Sequence, residues 1–483
     1  MCVPKGQDHI VNTGSSIIKF TFLVAIVIIT FIGCGETPKT IPSNPDGDVV
    51  TDVLTDTGNS NTITPKISGV MPTTVSLPPN DTLSDTMNRP FFDEFSWQTF
   101  IALCWPAEQG NRGVPLNPND PNTFLNMSNN TPLVWTSYKN QYDLFGADNP
   151  TPWNSSTAQS SPVSGANTNH VFLSSINAKS IIHGEADESF SVPLIDQNKN
   201  YALFEIRYNE VQYDFIYEDS LFMSYNLYQY RQAHGDTIAM PASTSSKEGS
   251  IMVKAAWRQL LDSEDDSRYY FINQIVYDPV SGSNVKLKLG LVGLHIAQKV
   301  GLFPEWVWSS FEQVDNVPPV PSSQAPTAQK PYSFNNGTGT PNTGSSGFFN
   351  KPDSTGINQD KNSRVRVQVS RLNEIPTTPA GQSTVDLNAR YQAAMGNNWL
   401  QYYQLVITQW PTNPGQFKQN SQGGTYPEFS GQPFPVNGCV NTTMETYFQS
   451  QSDAAGTGGN SCMSCHYTAN NMDYSWSLLL RSH

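Results

Sequence analysis

Near the C-terminus stands Ser461-Cys462-Met463-Ser464-Cys465-His466, with 17 residues beyond it. Cys-x-x-Cys-His is the arrangement of covalent c-type haem attachment. Two thiols at that spacing add across the vinyl groups of one porphyrin edge, and the adjoining histidine brings its imidazole under the iron. With six cysteines and seven histidines in 483 residues, chance produces the pattern in roughly one such chain in a thousand. Three other readings stand beside it. A zinc site needs two more ligands, and Cys439 is the one nearby thiol. A redox Cys-x-x-Cys normally opens a helix after a strand, whereas a Gly-rich stretch, 454–460, precedes this one. A plain disulfide is the third. Under the haem reading, Cys462 and Cys465 bind one haem c and His466 is an axial ligand of its iron.

The position of the motif constrains the rest. A small helical cytochrome domain does not fit after His466, so the haem must be cradled by the roughly 370 residues before it. Several residues are candidates for the other iron face. Met472 is six residues on, a reach of at most roughly 20 Å that just rounds the porphyrin edge. Met444 and Met395 are further candidates, although methionines at helical spacing commonly fill cores. His295 lies on an otherwise apolar strand face, and His483 is terminal. An open face, or water, is the remaining option. Arg364, Arg366, Arg371 and Lys254 are available to haem propionates, or are ordinary surface charges. Glu312 and Asp315 are available as acid or base near an open haem, or cap turns and loops.

At the other end, Lys19 precedes an apolar run from Phe20 to Ile32 that closes Phe31-Ile32-Gly33-Cys34. A cationic start, a short apolar stretch and a small residue before the cut describe an export signal. Cys34 after Gly33 resembles the lipobox of bacterial lipoproteins. This makes 1–33 a signal peptide and Cys34 the lipidated N-terminus of the mature chain. The other reading is an uncleaved anchor, for which the run is short. Either puts the remainder outside the cytoplasm, attached to a membrane, where c-type haem is also attached. Residues 34–87 show no sustained periodicity and are rich in Thr, Pro, Asp, Ser and Asn, as a flexible tether is. The net charge of −14 argues against a nucleic-acid partner.

The chain as a whole has 37% hydrophobic and only 14% charged residues, with 24 Phe, 20 Tyr and 10 Trp, most of them available for a core. We read it as α+β: a β-rich body with a substantial antiparallel sheet, few helices and long loops. A β-rich stretch spans 88–317, a low-complexity loop 318–360, and a segment ending in the haem motif 361–483. The loop either separates two lobes or decorates one. Helices are expected over 91–105 and 384–395, the latter ended by Gly396. Strands are expected over 201–208, 285–297, 304–308, 364–370 and 399–410, and 251–261 reads as a strand running into a helix. In 285–297, alternation puts Val285, Leu287, Leu289, Leu291, Gly293, His295 and Ala297 on one face. Thr442 and Glu445 have the spacing of a capping box that opens a short helix.

Several strings resemble bacterial proteins known only as a "cytochrome c family". They are Trp97-Gln98-Thr99-Phe100-Ile101-Ala102-Leu103, Lys254-Ala255-Ala256-Trp257, Gly290-Leu291-Val292-Gly293-Leu294-His295, Phe311-Glu312-Gln313-Val314-Asp315-Asn316, Thr408-Gln409-Trp410-Pro411 and the Cys462-to-His466 motif. The resemblance spans most of the chain from Phe91 onward. It implies covalent haem and electron transfer, and no defined reaction. Three functions follow for testing: an electron carrier passing electrons to an unidentified redox protein, a haem enzyme or gas binder with an open iron face, and a non-haem lipoprotein binding module.

Overall fold

Leucine and branched residues alternate with polar ones along the longest strand, Ser283–Val300, and the other strands assemble on its two edges. The computed structural model describes residues 63–78, 83–145, 149–155, 172–173, 194–278, 283–319, 331–337, 365–411, 413–415, 417–419, 421–423, 425–427, 440–447, 449 and 461–482. The signal segment, Cys34, Arg364, Cys439 and His483 lie outside the described residues, as do most of the tether and of the 318–360 loop.

In chain order the elements are α1 (Asp85–Leu103), α2 (Pro121–Leu125), α3 (Val134–Ser137), β1 (Lys139–Asn140), α4 (Tyr142–Phe145), β2 (Phe172–Leu173) and β3 (Leu203–Tyr208). Then come α5 (Glu210–Glu218), α6 (Ser224–Ala233), β4 (Ile251–Gln259), β5 (Phe271–Asp278), β6 (Ser283–Val300) and β7 (Phe303–Gln313). The last are α7 (Thr384–Ala394), β8 (Tyr403–Gln409), β9 (Phe417–Gln419), β10 (Thr425–Pro427), α8 (Cys462–His466) and α9 (Trp476–Arg481). An eight-stranded sheet, antiparallel except where β2 meets β5, makes the fold α+β and β-rich. β8, from beyond the 318–360 loop, pairs with β7, so the sheet is continuous across that loop.

β6 serves three partners. One edge pairs with β4; the other pairs with β5 over 283–290 and with β7 over 293–300. A bulge where Ala256 faces Gly293 and Trp257 faces Leu291 leaves Val292 as the extra residue. A bulge bends a strand and increases its twist, which suits one strand leaving β5 to join β7. It also reverses the side chains. Leu289 and Leu291 point away from the face that carries Gly293 and His295, so the single apolar face expected through this strand is two.

The two faces are covered differently. α1 and α7 cover one: the Phe311 ring stacks on Phe100 at 4.1 Å, and Trp97 stacks on Tyr391 at 4.9 Å. Ser96 of α1 shares hydroxyl hydrogen bonds with Ser309 and Thr408 on that side. Residues one step along β7 therefore face the other way, and there they meet the C-terminal segments. Asn441 donates to Ser310, Thr442 donates to Glu312, and the His466 ring lies 4.4 Å from that of Trp308.

Three local expectations change. Residues 365–372 form no strand; Val367 and Val369 donate single backbone bonds to Ile195 and Phe334. β4 ends at Gln259 in a turn rather than a helix. The 442–445 capping box does not open a helix either. Glu445 reaches back to the Asn441 amide, Asn441 bonds Thr443, and Glu312 takes the Thr442 amide. Side chains thus satisfy the first amides of a turn that does not propagate into a helix among the described residues.

Candidate functional site

Residues three and four apart in a helix share a face, so α8 brings Cys462, Cys465 and His466 to one side. A 3₁₀ helix, Tyr467–Met472, follows, and the chain then reverses through Asp473 and Tyr474, with φ of 51° and 63°. Two successive non-glycine residues in this region are held there by their surroundings. The buried Asp473 carboxylate accepts from the Met240 amide at 2.6 Å, from Trp306 Nε1 at 3.1 Å and from the Lys299 ammonium. The reversal aims the Tyr474 carbonyl back at the motif, where it accepts from His466 Nδ1 at 2.7 Å. Since a carbonyl only accepts, Nδ1 carries the proton and the lone pair of this imidazole is on Nε2. Ser475 then caps α9 by accepting from the Leu478 amide.

The sheet supplies the floor. Lys254 of β4 and His295 of β6 are directly opposed in register, and His295 is in turn opposed to Ser310 of β7. The Trp308 ring packs against that of His466, and Gln409 of β8 accepts from the Met463 amide. Glu445 forms a wall, its Oε2 lying 3.4 Å from His295 Nε2. That approach has the reach of an ion contact but no hydrogen-bond alignment, so Nε2 of His295 is buried without a hydrogen-bond partner.

Electrostatics tie these groups together. Burial lowers the His466 pKa to about 4, the Tyr474 carbonyl opposes the shift, Lys254 and His295 deepen it, and Glu445 opposes it. His466 is therefore neutral at pH 7, as a metal-bound or accepting imidazole must be. Burial pushes the Cys462 thiol up, and the charges of Glu445 and Cys465 add to the effect. Cys462, Cys465 and the buried Cys104 are not joined in disulfides. Among the described residues no group of three or more His, Cys, Asp or Glu side chains is arranged to hold a metal. The arrangement is thus two cysteine side chains beside one oriented neutral imidazole, over a floor carrying a cation, an aromatic ring and a second imidazole.

The other candidates are scattered. Met472 ends the 3₁₀ helix with its side chain buried in the main core. The six residues to it are coiled at about 2 Å each, not stretched round a porphyrin edge. Met444 is buried in a separate core cluster beside Tyr447, and Met395 is buried at the end of α7. Arg366 is exposed. Arg371 is buried in an ion pair with Glu312, which also accepts from Thr442. Asp315 pairs with Arg268. Glu312 and Asp315 thus hold loops together. Sequence reading missed Trp308, Glu445, Asp473 and Tyr474 as site residues, because nothing in their spacing relates them to Cys462.

No helix among the described residues is long and apolar enough to cross a membrane. The chain matches no known protein family, no curated protein and no solved structure.

Proposed function

We propose that this chain is an extracytoplasmic, membrane-anchored mono-haem cytochrome of the c type, transferring electrons through a haem bound by Cys462 and Cys465. One observation carries the reading: the 2.7 Å bond from His466 Nδ1 to the Tyr474 carbonyl. Metal-ligating histidines donate their other ring N–H to such an acceptor, which fixes the tautomer and the ring orientation. The surrounding residues fit the group. Two cysteines outside any disulfide share a helix face with His466, Trp308 offers an apolar flank, and Lys254 supplies a cation for propionates. Bound haem supplies a one-electron iron couple. The chain's own residues orient His466, keep it neutral and exclude water through Trp308 and the buried C-terminal turn. Lipidation at Cys34 after cleavage of 1–33 is part of the same proposal and rests on the sequence alone.

The buried, unbonded Nε2 of His295 favours a second reading, in which the other iron face is open or exchangeable and the protein is a haem enzyme or binds a small gas. Absorption spectra of the mature protein, produced in a host that matures c-type haem, distinguish the readings. Intact mass is measured beside them. Haem bands and a covalent haem mass are expected in the native chain and lost in Cys462→Ala/Cys465→Ala. Sharp low-spin reduced bands indicate two axial ligands and a carrier. A high-spin spectrum shifted by carbon monoxide indicates an open face. No haem in the native chain overturns the proposal, and a mature mass lacking lipid on Cys34 overturns the anchor.

A further inference from the structure

Among the described residues, the buried carboxylates are answered with one exception. Asp93 accepts from Thr384 and Thr408, Asp196 from the Asn198 and Asn200 amides, Glu312 from Thr442, and Asp473 from three donors. Glu305, with no exposed surface, has both carboxylate oxygens without a hydrogen-bond partner. Its own amide and that of Gly415 lean toward it without reaching good alignment. The charged and titratable groups facing it are Lys299 from β6 and Asp473 and Tyr474 from the C-terminal turn. Lys299 is already engaged by Asp473. Burial dominates, and raises the Glu305 pKa to about 8. The φ of 72° at Trp306 breaks the alternation of β7, so neighbours that a regular strand would separate both lie by Asp473.

Two short connections join Glu305 to the motif. Its carbonyl accepts from Trp308 Nε1 at 3.2 Å, and the Trp308 ring packs on His466. The Tyr474 hydroxyl, also buried without a partner, feels the Glu305 charge, while the Tyr474 carbonyl orients His466.

Resting on the haem reading, we infer that Glu305 is a redox-linked proton site: it takes one proton when the haem gains an electron and releases it when the electron leaves. The electron comes from a one-electron donor and the proton from bulk water, and the side chain passes from carboxylate to carboxylic acid. Added negative charge at the iron repels a carboxylate in the same water-poor interior, and protonation removes that repulsion. Tyr474 is no competing site, because burial first, and then the charges of Glu305 and Asp473, hold its proton more tightly.

The test is a spectroelectrochemical titration of the haem-loaded full chain between pH 6 and 9, with Glu305→Gln and Glu305→Asp beside it. The native midpoint potential is expected to fall as pH rises through about 8, by no more than about 59 mV per tenfold loss of proton activity. Glu305→Gln is expected to be flat across that window with unchanged haem bands, and Glu305→Asp to keep a slope. Reduced-minus-oxidised infrared spectra are expected to show a protonated carboxyl band that the Gln variant lacks. A pH-independent native potential, or a Gln variant with the native slope, overturns the inference while leaving the haem reading intact. Absence of haem bands overturns both, and is recognised before any potential is measured.

Discussion

Gly293 shows how one missing methyl group seats a loop. A Cβ there would lie 2.3 Å from Thr443 Oγ1, 3.2 Å from Asn441 Oδ1 and 3.3 Å from Met444 Cε. Asn441 and Thr443 are buried and bonded to each other and to β7, so they have little room to yield. Glu445, the wall beside His295, belongs to the same loop. Gly293→Ala is expected to destabilise the protein by about 1–3 kcal/mol. The measurement is the urea midpoint, falling at unchanged slope. An unchanged midpoint would mean that the loop moves freely off the sheet. The importance of Gly293 was not legible in the sequence, since a glycine inside a strand marks close approach without naming what approaches.

The C-terminal turn acts through Asp473. Its carboxylate gathers donors from three separate parts of the chain, at Met240, Lys299 and Trp306. Asp473→Ala leaves the buried Lys299 ammonium without its counter-charge and is expected to cost about 3–5 kcal/mol. Hydrogen exchange checks where the loss falls: amides of 467–478 and 238–240 are expected to lose protection together, because Ile238 donates to the Asn471 carbonyl. Loss confined to 473–475 would show that the turn stands without this clamp. Elements with strong local patterns were readable in advance. α7 lies on the segment expected to end at Gly396, whose φ is 59°, and β3, β4 and β6 fall on segments read as strands, β6 from its alternation. α5 and α6 went unread because their Tyr-rich sequences suit a strand as well as a helix. Residues 365–370 alternate like a strand, yet they join no sheet and bond singly, to Ile195 and Phe334.

Buried carboxyls give the whole molecule a particular pH response. Glu305 has a folded pKa of about 8, above its ordinary 4.5. Its contribution to stability is complete below the ordinary value and is lost as pH rises through the folded one. Asp93 and Asp196, each raised to about 6 by burial, act in the same direction at lower pH. His466 acts oppositely: its folded pKa of about 4 lies below its ordinary 6.5, so its stability is lost as pH falls below that value. Between 6.5 and 8 Glu305 dominates; Lys139, whose folded pKa burial lowers to about 8, acts oppositely and only begins to contribute there. Stability is expected to fall across it by on the order of 1 to 2 kcal/mol, read as a lower melting temperature in calorimetry. Glu305→Gln is expected to remove the decline, and a decline that survives the substitution would assign it to other groups.

Local chemistry alone sufficed for the α+β class, the strands β3, β4, β6, β7 and β8 and the helix ended at Gly396, because alternation, side-chain type and glycine conformations act between near neighbours. It also sufficed to mark Cys462, Cys465 and His466, whose adjacency is covalent. What surrounds that motif came from folding. Lys254, His295, Trp308 and Glu445 are far apart along the chain and meet through strand pairing and a loop seated on Gly293. The face that His295 occupies depends on a bulge at Val292, where one extra residue reverses every side chain beyond it. The Tyr474 carbonyl reaches His466 because Asp473 is pinned by donors more than 160 residues away in sequence. Such contacts are set by packing and by the need to satisfy buried charge, and neither leaves a local pattern in the chain.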